Sequence, residues 1–363
     1  MKKIKICIII FFIIFFAGCS DEDEVLINKI ITSMTLDEKI GQMILAGFDG
    51  TIINEELNNL VNENKVGGII LFKRNIESSS QIKKLINDVN ESNKGVPLFV
   101  SIDEEGGRIS RISDDMGNFK SASEIGKQNS TEYAYNNGLE IGKVLISHGI
   151  NMDHAPVLDI YSNSKNTVIG DRAFGNDEDI VSTMGVATMK GIQDSGVIPT
   201  VKHFPGHGDT EVDSHFGLPI VSKTLDELES FEFIPFKYAI KNNCDVVMVS
   251  HIVLENIDRE NPATVSSKII NGILRDNLGF NKVVITDDMN MRAITNIMSV
   301  EDASIKSIQS GSDVILIGGG QETVTSVIEK IKQAVEENDI TEERINESLY
   351  RILSLKIKYS IIN

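Results

Sequence analysis

The feature that most constrains the fold is an alternation that runs along nearly the whole chain. Eight short segments rich in Ile, Val and Leu lie at residues 42–47, 67–73, 97–103, 151–160, 197–203, 246–251, 282–287 and 312–317. Near-continuous apolar runs suit parallel strands covered on both faces, whereas a half-solvated strand alternates polar with apolar. Between them lie amphipathic stretches with helical spacing at 80–91, 131–147, 179–194, 225–242, 266–277, 300–310 and 322–336, and a last one at 341–361 closes the chain. Thr35-Leu36-Asp37-Glu38 and Thr224-Leu225-Asp226-Glu227 each read as a capping box that opens a helix. Eight strands alternating with helices in 363 residues predict an α/β fold, a single-domain (β/α)8 TIM-like barrel. The alternative is an open doubly wound sheet. A dinucleotide site in such a sheet would show Gly-x-Gly-x-x-Gly after the first strand, and here Gly318-Gly319-Gly320 follows the last one instead.

The N-terminus reads as an address. Lys2, Lys3 and Lys5 precede an apolar run from Ile6 to Gly18, too short to span a bilayer but suited to a signal peptide. Phe16-Ala17-Gly18-Cys19 resembles a bacterial lipoprotein signal. The expected organisation is therefore a signal at 1–18, a lipidated Cys19 with an acidic spacer over 19–24, and the catalytic domain over 25–363. Each buried acyl methylene adds roughly 0.8 kcal/mol, so several chains on Cys19 would hold the protein outside the cytoplasmic membrane. The membrane is then a partner through this lipid alone. Of the three cysteines, only Cys244 remains in the mature domain, which excludes a disulfide framework. A net charge of −18 repels nucleic acid.

Polar clusters fall at the predicted C-terminal ends of the strands. They include Asp103-Glu104-Glu105-Gly106-Gly107-Arg108, His154 with Asp159, Lys202-His203, Ser250-His251 and Thr286-Asp287-Asp288. Taken singly, an Asp after a strand is often a helix cap, and a loop Arg is often a surface ion pair. Their coincidence at five strand ends is the signal, because a barrel brings those ends to one mouth. Carboxylates, histidines and arginines without a cofactor loop or a dense metal set fit glycoside hydrolysis. No cofactor and no metal are expected, and the partner is a carbohydrate.

Four motifs stand in order. They are Ile102-Asp103-Glu104-Glu105-Gly106-Gly107-Arg108 with Arg111, then Gly170-Asp171-Arg172-Ala173-Phe174-Gly175, then Lys202-His203-Phe204-Pro205-Gly206-His207-Gly208 followed by Asp213-Ser214-His215, and last Thr286-Asp287-Asp288-Met289-Asn290-Met291. The chain resembles the β-N-acetylglucosaminidase branch of glycoside hydrolase family 3. The resemblance implies that Asp287 is a nucleophile and His215 an acid/base oriented by Asp213. It further implies that Asp103, Arg111, Arg172, Lys202 and His203 hold a terminal N-acetylglucosamine, and that Arg108 is structural. An imidazole can serve as the acid because its ordinary pKa lies near neutrality.

Other readings stay open on the sequence. His203, His207, Asp209, Asp213 and His215 are the donors a zinc hydrolase would use. Asp287-Asp288 is the acidic pair a substrate-assisted hexosaminidase would use. A phosphorylase, another β-glycosidase of the family and a non-catalytic sugar-binding lipoprotein are the remaining alternatives. A family β-glucosidase is disfavoured, because the chain has no Trp and no second domain follows the barrel.

Overall fold

The computed structural model describes residues 21–210, 214 and 217–362. Among them ten strands follow in chain order: β1 (Ile44–Ala46), β2 (Gly68–Leu71), β3 (Phe99–Ile102), β4 (Met152–Asp153), β5 (Ile198–Phe204), β6 (Ile220–Val221), β7 (Val246–Val249), β8 (Val253–Leu254), β9 (Val283–Thr286) and β10 (Ile315–Ile317). Eight of them form one parallel sheet in the order β10-β1-β2-β3-β4-β5-β7-β9. Its two edges meet: Ile285 bridges Val314, and the Thr286 N–H donates to the Val314 carbonyl at 3.0 Å. The sheet is therefore a closed barrel, as the eight apolar segments predict.

The helices are α1 (Asp21–Ser33), α2 (Leu36–Gln42), α3 (Glu55–Asn62), α4 (Ser79–Ser92), α5 (Ala122–Gln128), α6 (Thr131–Ser147), α7 (Glu178–Asp194), α8 (Leu225–Glu229), α9 (Ile234–Lys241), α10 (Arg292–Thr295), α11 (Val300–Ser310), α12 (Gln321–Glu336) and α13 (Glu342–Lys358). A π-type helix, Lys268–Asn277, stands between β8 and β9. Both capping boxes form, on Thr35 with Glu38 and on Thr224 with Glu227.

Several boundaries differ from the sequence expectation. Asp21 to Glu24, expected as part of an acidic spacer, form the first turn of α1, and four carboxylates suit the positive end of a helix dipole. The helix expected over 225–242 breaks into α8 and α9, with Pro235 in the first turn of the second piece, where a missing N–H costs nothing. The strand expected over 151–160 shrinks to Met152–Asp153, because Pro156 has no N–H to give the ladder, and only Val157 bridges back to Lys202. The pair β6 with β8 forms a separate two-stranded parallel sheet that the sequence does not announce.

The N-terminal end of the barrel carries ion networks that hold the fold together. Asp313, fully buried at the seam between β9 and β10, accepts from Arg275 at 2.8 Å, Arg351 at 3.0 Å, the Ser348 hydroxyl at 2.8 Å and the Val284 N–H at 3.0 Å. Burial alone would raise its carboxyl. The guanidinium groups of Arg275, Arg351 and Arg344 outweigh that and hold it at about 2. Asp245 ties Lys282, Lys358 and the Tyr359 hydroxyl in the same way, which fastens the end of α13 under β7.

Lys356 enters the same end without a carboxylate. Its ammonium is fully buried, donates to Gln42 Oε1 and to the Gly67 carbonyl, both at 2.9 Å, and lies 4.7 Å from the Phe99 ring centroid. Burial lowers its pKa from 10.5 to about 7. The unfolded chain thus binds more protons than the folded one between those values. The cost of the buried charge is complete below about pH 7 and fades as pH rises toward 10.5. The stability of the wild type relative to Lys356→Met is therefore expected to rise by a few kcal/mol, in order of magnitude, across that window. Chemical denaturation at several pH values reads this directly, and a difference that does not vary with pH would contradict it.

Candidate active site

The opposite end of the barrel is built differently. A cavity of about 210 Å³ opens among the strand C-termini, and its lining includes Asp103, Glu105, Arg111, Arg172, Lys202, His203, Asp287 and Asp288. Residues 170 positions apart in sequence and more converge there because each follows a strand of one closed barrel.

Lys202 and His203 are neighbours on β5 and both line the cavity. A regular strand would send them to opposite faces. The pairing of β5 with β7 shifts register between Val201 and Phe204, and this irregularity turns both side chains to the same side. The Lys202 ammonium is fully buried and reaches Asp103 Oδ1 and Glu105 Oε1, both at 2.7 Å. Arg172 grips Glu105 with two parallel bonds of 2.8 Å, the bidentate geometry that makes guanidinium–carboxylate pairs strong. Its Nη2 also lies 3.1 Å from His203 Nε2, and His203 Nδ1 lies 2.6 Å from Asp159 Oδ2. With Arg172 donating to Nε2, the imidazole hydrogen sits on Nδ1, toward Asp159. The His207 N–H donates to the other oxygen of Asp159 at 2.6 Å.

These contacts fix the charge state of the cavity. Burial would push Asp103 and Glu105 up, yet the cations beside them prevail. Asp103 is held well below the usual range by Lys202, with His154 and Arg111 adding to it, and Glu105 stands at about 2 through Arg172 and Lys202. Burial would likewise raise Asp159, and His203 lowers it. Lys202 and Arg172 are opposed by burial but raised by their carboxylate partners. The cavity therefore presents ionised acceptors and donors side by side near neutral pH. Arg111 contributes a donor still to be used: its Nε is buried with no hydrogen-bond partner. Such a set can hold an uncharged ligand rich in hydroxyls, each of which both donates and accepts.

Asp287 follows β9. Its N–H donates to the Val249 carbonyl at 2.9 Å, and its Oδ1 accepts the Asp288 N–H at 2.8 Å. The next carboxyl is committed elsewhere. Asp288 Oδ1 accepts from the Gly318 N–H at 2.8 Å and the Asn290 N–H at 3.0 Å, and burial raises its pKa. A Cβ at Gly318 would lie 2.2 Å from Asp288 Oδ2, so the glycine run after β10 seats this carboxyl. His251 takes up the backbone from the other side, with Nε2 2.9 Å from the Asp288 carbonyl and Nδ1 2.7 Å from the Thr264 hydroxyl.

Among the expected site residues, Asp103, Arg111, Arg172, Lys202, His203 and Asp287 thus share one cavity. Asp213, His215 and Cys19 lie outside the described residues. Ser214, between the first two in sequence, lines the cavity, lies 3.2 Å from His207 Nε2 and accepts the Ala293 N–H at 3.2 Å. Arg108 lies elsewhere. It pairs with Asp171 at 2.6 Å and donates to the carbonyls of residues 167 to 169, which anchors the loop carrying Arg172. Glu105 and Asp159 are contributors with no role assigned from the sequence. Their partners are 40 to 100 residues away, and only the alignment of strand ends joins them. Among the described residues, no group of three or more His, Cys, Asp or Glu is arranged to hold a metal ion.

Fold and site together define a parallel barrel with one small, polar, charge-balanced cavity at its C-terminal mouth. Residues 35–355 match the Glycosyl hydrolase family 3 N terminal domain, and the chain belongs to glycosyl hydrolase family 3. It is similar to a Beta-hexosaminidase A of Pseudoalteromonas piscicida, 33% identical over 85% of this chain and 56% of that protein. It is also similar to a Beta-hexosaminidase of Psychromonas ingrahamii, 33% identical over 80% of this chain and 86% of that one. The chain thus spans little more than half the length of the first relative and most of the second. Among solved structures it resembles a glycoside hydrolase family 3 beta-N-acetylglucosaminidase from Paenibacillus sp. str. FPU-7, with TM-score 0.89 and 38% identity over 91% of this chain and 63% of that one. A family 3 glycosyl hydrolase from Mycobacterium smegmatis aligns with TM-score 0.83 and 30% identity over 90% of this chain and 98% of that one.

Proposed function

We propose that this chain is a retaining, exo-acting β-N-acetylglucosaminidase that removes a terminal, non-reducing β-linked N-acetylglucosamine. The observation that carries this is the cavity: one small chamber in which Asp287 shares the lining with Asp103, Arg111, Arg172, Lys202 and His203. A chamber of about 210 Å³ suits a single sugar ring, which is why the action is read as exo. In this reading the five polar residues hold the ring, and Asp287 attacks the anomeric carbon to form a glycosyl–enzyme intermediate. His215, oriented by Asp213, protonates the leaving oxygen and later draws the proton from water. The position of Ser214 at the cavity supports the assignment of its two neighbours. The commitment of Asp288 to the Gly318 and Asn290 amides favours a nucleophile over a substrate-assisted pair. The names of the relatives favour the N-acetylhexosaminide over the glucoside.

The natural substrate in this reading is a peptidoglycan fragment ending in N-acetylglucosamine, met outside the cytoplasmic membrane by a protein anchored through lipid on Cys19. The run from Lys2 to Cys19 supports the anchor. Radiolabelled palmitate that enters the wild type but not Cys19→Ala tests it, and equal labelling of both removes it.

Activity is tested with p-nitrophenyl β-N-acetylglucosaminide, β-glucoside and β-N-acetylgalactosaminide, with and without phosphate. Hydrolysis of the first well above the second is expected, and sugar 1-phosphate formed in phosphate would identify a phosphorylase instead. His215→Ala should lose least on nitrophenyl substrates and most on alkyl glycosides, because a good leaving group needs little protonation. Equal losses on both would remove His215 as the acid.

A further inference from the structure

One feature beside the cavity is explained neither by sugar binding nor by packing. Glu104 and Asp153 are carboxyls, both fully buried, on the neighbouring strand ends of β3 and β4. The main chain links them, since the backbone N–H of Glu104 donates to Asp153 Oδ1 at 2.9 Å. The second oxygen of each, Glu104 Oε1 and Asp153 Oδ2, is buried and has no hydrogen-bond partner. Two buried carboxylates so placed repel, and each unpaired oxygen bears an unmet desolvation cost. A proton on one of the two groups relieves the repulsion.

Glu104 Oε2 has a distinct task. It accepts the Ser110 hydroxyl at 2.8 Å, the Arg111 N–H at 3.0 Å and the Ile112 N–H at 3.4 Å. One carboxyl oxygen therefore gathers the segment that turns at Gly106 and Gly107 and returns to deliver Arg111 to the cavity, where Arg111 Nε stands buried and unpartnered. We propose that Glu104 and Asp153 form a buried acid pair that carries one proton, and that Glu104, through this pair, is a positioning residue that sets Arg111 for sugar binding. This rests on the glycosidase reading for its consequence, though not for its chemistry.

Electrostatics agree with the geometry. Burial raises Glu104 against the hydrogen bonds from Ser110, Arg111 and Ile112, and burial, with the charges of Glu104 and Asp103, raises Asp153 against the Glu104 N–H bond and Lys202. Two further charged groups act on Asp153, Asp103 just after β3 and Lys202 on β5. The sign follows from a raised acid. The pair is intact while it holds its proton and fails as rising pH removes it, because two buried anions then share one place.

The test is steady-state kinetics on p-nitrophenyl β-N-acetylglucosaminide across about pH 5 to 9, with Glu104→Gln, Glu104→Ala and Asp153→Asn. An amide at 104 keeps an oxygen for the three donors and carries no charge to repel Asp153. Glu104→Gln should therefore keep KM within about twofold at low pH and stay flat where the wild-type KM climbs. Glu104→Ala should raise KM by about tenfold or more, with kcat changed less. Asp153→Asn should behave as Glu104→Gln does. A KM–pH profile of Glu104→Gln that superimposes on the wild type, or a Glu104→Gln loss as large as that of Glu104→Ala, overturns the proposal. Infrared difference spectra of wild type against the folded double variant Glu104→Gln/Asp153→Asn supply a readout free of catalysis. A carboxylic-acid carbonyl band at neutral pH is expected in the wild type. Its absence overturns the acid pair, while its presence in a protein with no turnover keeps the pair and removes the glycosidase reading.

Discussion

Replacing Asp287 with asparagine is expected to lower kcat on p-nitrophenyl β-N-acetylglucosaminide by roughly three to five orders of magnitude, with KM changed far less and the fold intact. The size follows from the role. An amide oxygen of the same shape cannot form the covalent bond, so the variant loses the route itself and not a supporting contact. The intact fold follows from the local geometry. The Asp288 N–H donates to Oδ1 at 2.8 Å, and an asparagine oxygen accepts that bond equally well. The Asp287 N–H remains on the Val249 carbonyl. Melting temperature and kinetics measured together check the pair of claims. A variant that retains a tenth of the activity would mean that another group attacks.

The second large effect concerns stability and binding at once. Lys202→Met is expected to destabilise the fold by about 3–5 kcal/mol, the usual cost of removing one partner from a buried ion pair. The lysine is 2% exposed and serves two carboxylates, Asp103 and Glu105, at 2.7 Å each. Arg172 still compensates Glu105 after the change, but among the described residues no other cation is hydrogen-bonded to Asp103. The Asp103 carboxyl, now dominated by burial, rises and takes up a proton, so it loses the charge that strengthens its bonds to sugar hydroxyls and KM rises as well. The double variant Lys202→Met/Asp103→Asn should recover part of the stability without recovering binding, because the stranded charge is gone but the ionised acceptor, the stronger partner for sugar hydroxyls, is gone too. Urea denaturation of the four members of this cycle measures the coupling. A single Lys202→Met variant as stable as the wild type would show that the network contributes nothing to the fold.

These effects bear on how much was legible in the sequence. The barrel was legible because parallel strands covered on both faces leave continuous apolar runs such as Val246 to Val249 and Val283 to Thr286, which local reading finds. Pairings between distant two-residue strands leave no such trace, and so Ile220–Val221 with Val253–Leu254 went unannounced. The same division runs through the site. Asp103, Lys202 and Asp287 were legible because each ends a strand whose neighbours are apolar. Glu105 sat inside a quoted motif, yet its function lies in partners at 172 and 202 that no spacing rule connects. Glu104 was hidden further, since its significance is an oxygen with no partner, a property of three-dimensional packing alone. Asp213 and His215 were read from a motif, and their roles stand on that reading and on the place of Ser214.

The account has one centre, which is that Asp287 attacks carbon. It is tested most directly by incubating the protein with a fluorinated N-acetylglucosaminyl donor that forms the intermediate quickly and releases it slowly, followed by intact-mass and peptide mass spectrometry. The expected result is a single sugar adduct on the peptide that carries Asp287, absent from Asp287→Asn. An adduct on a different residue, or turnover of the donor with no adduct at all, would contradict it.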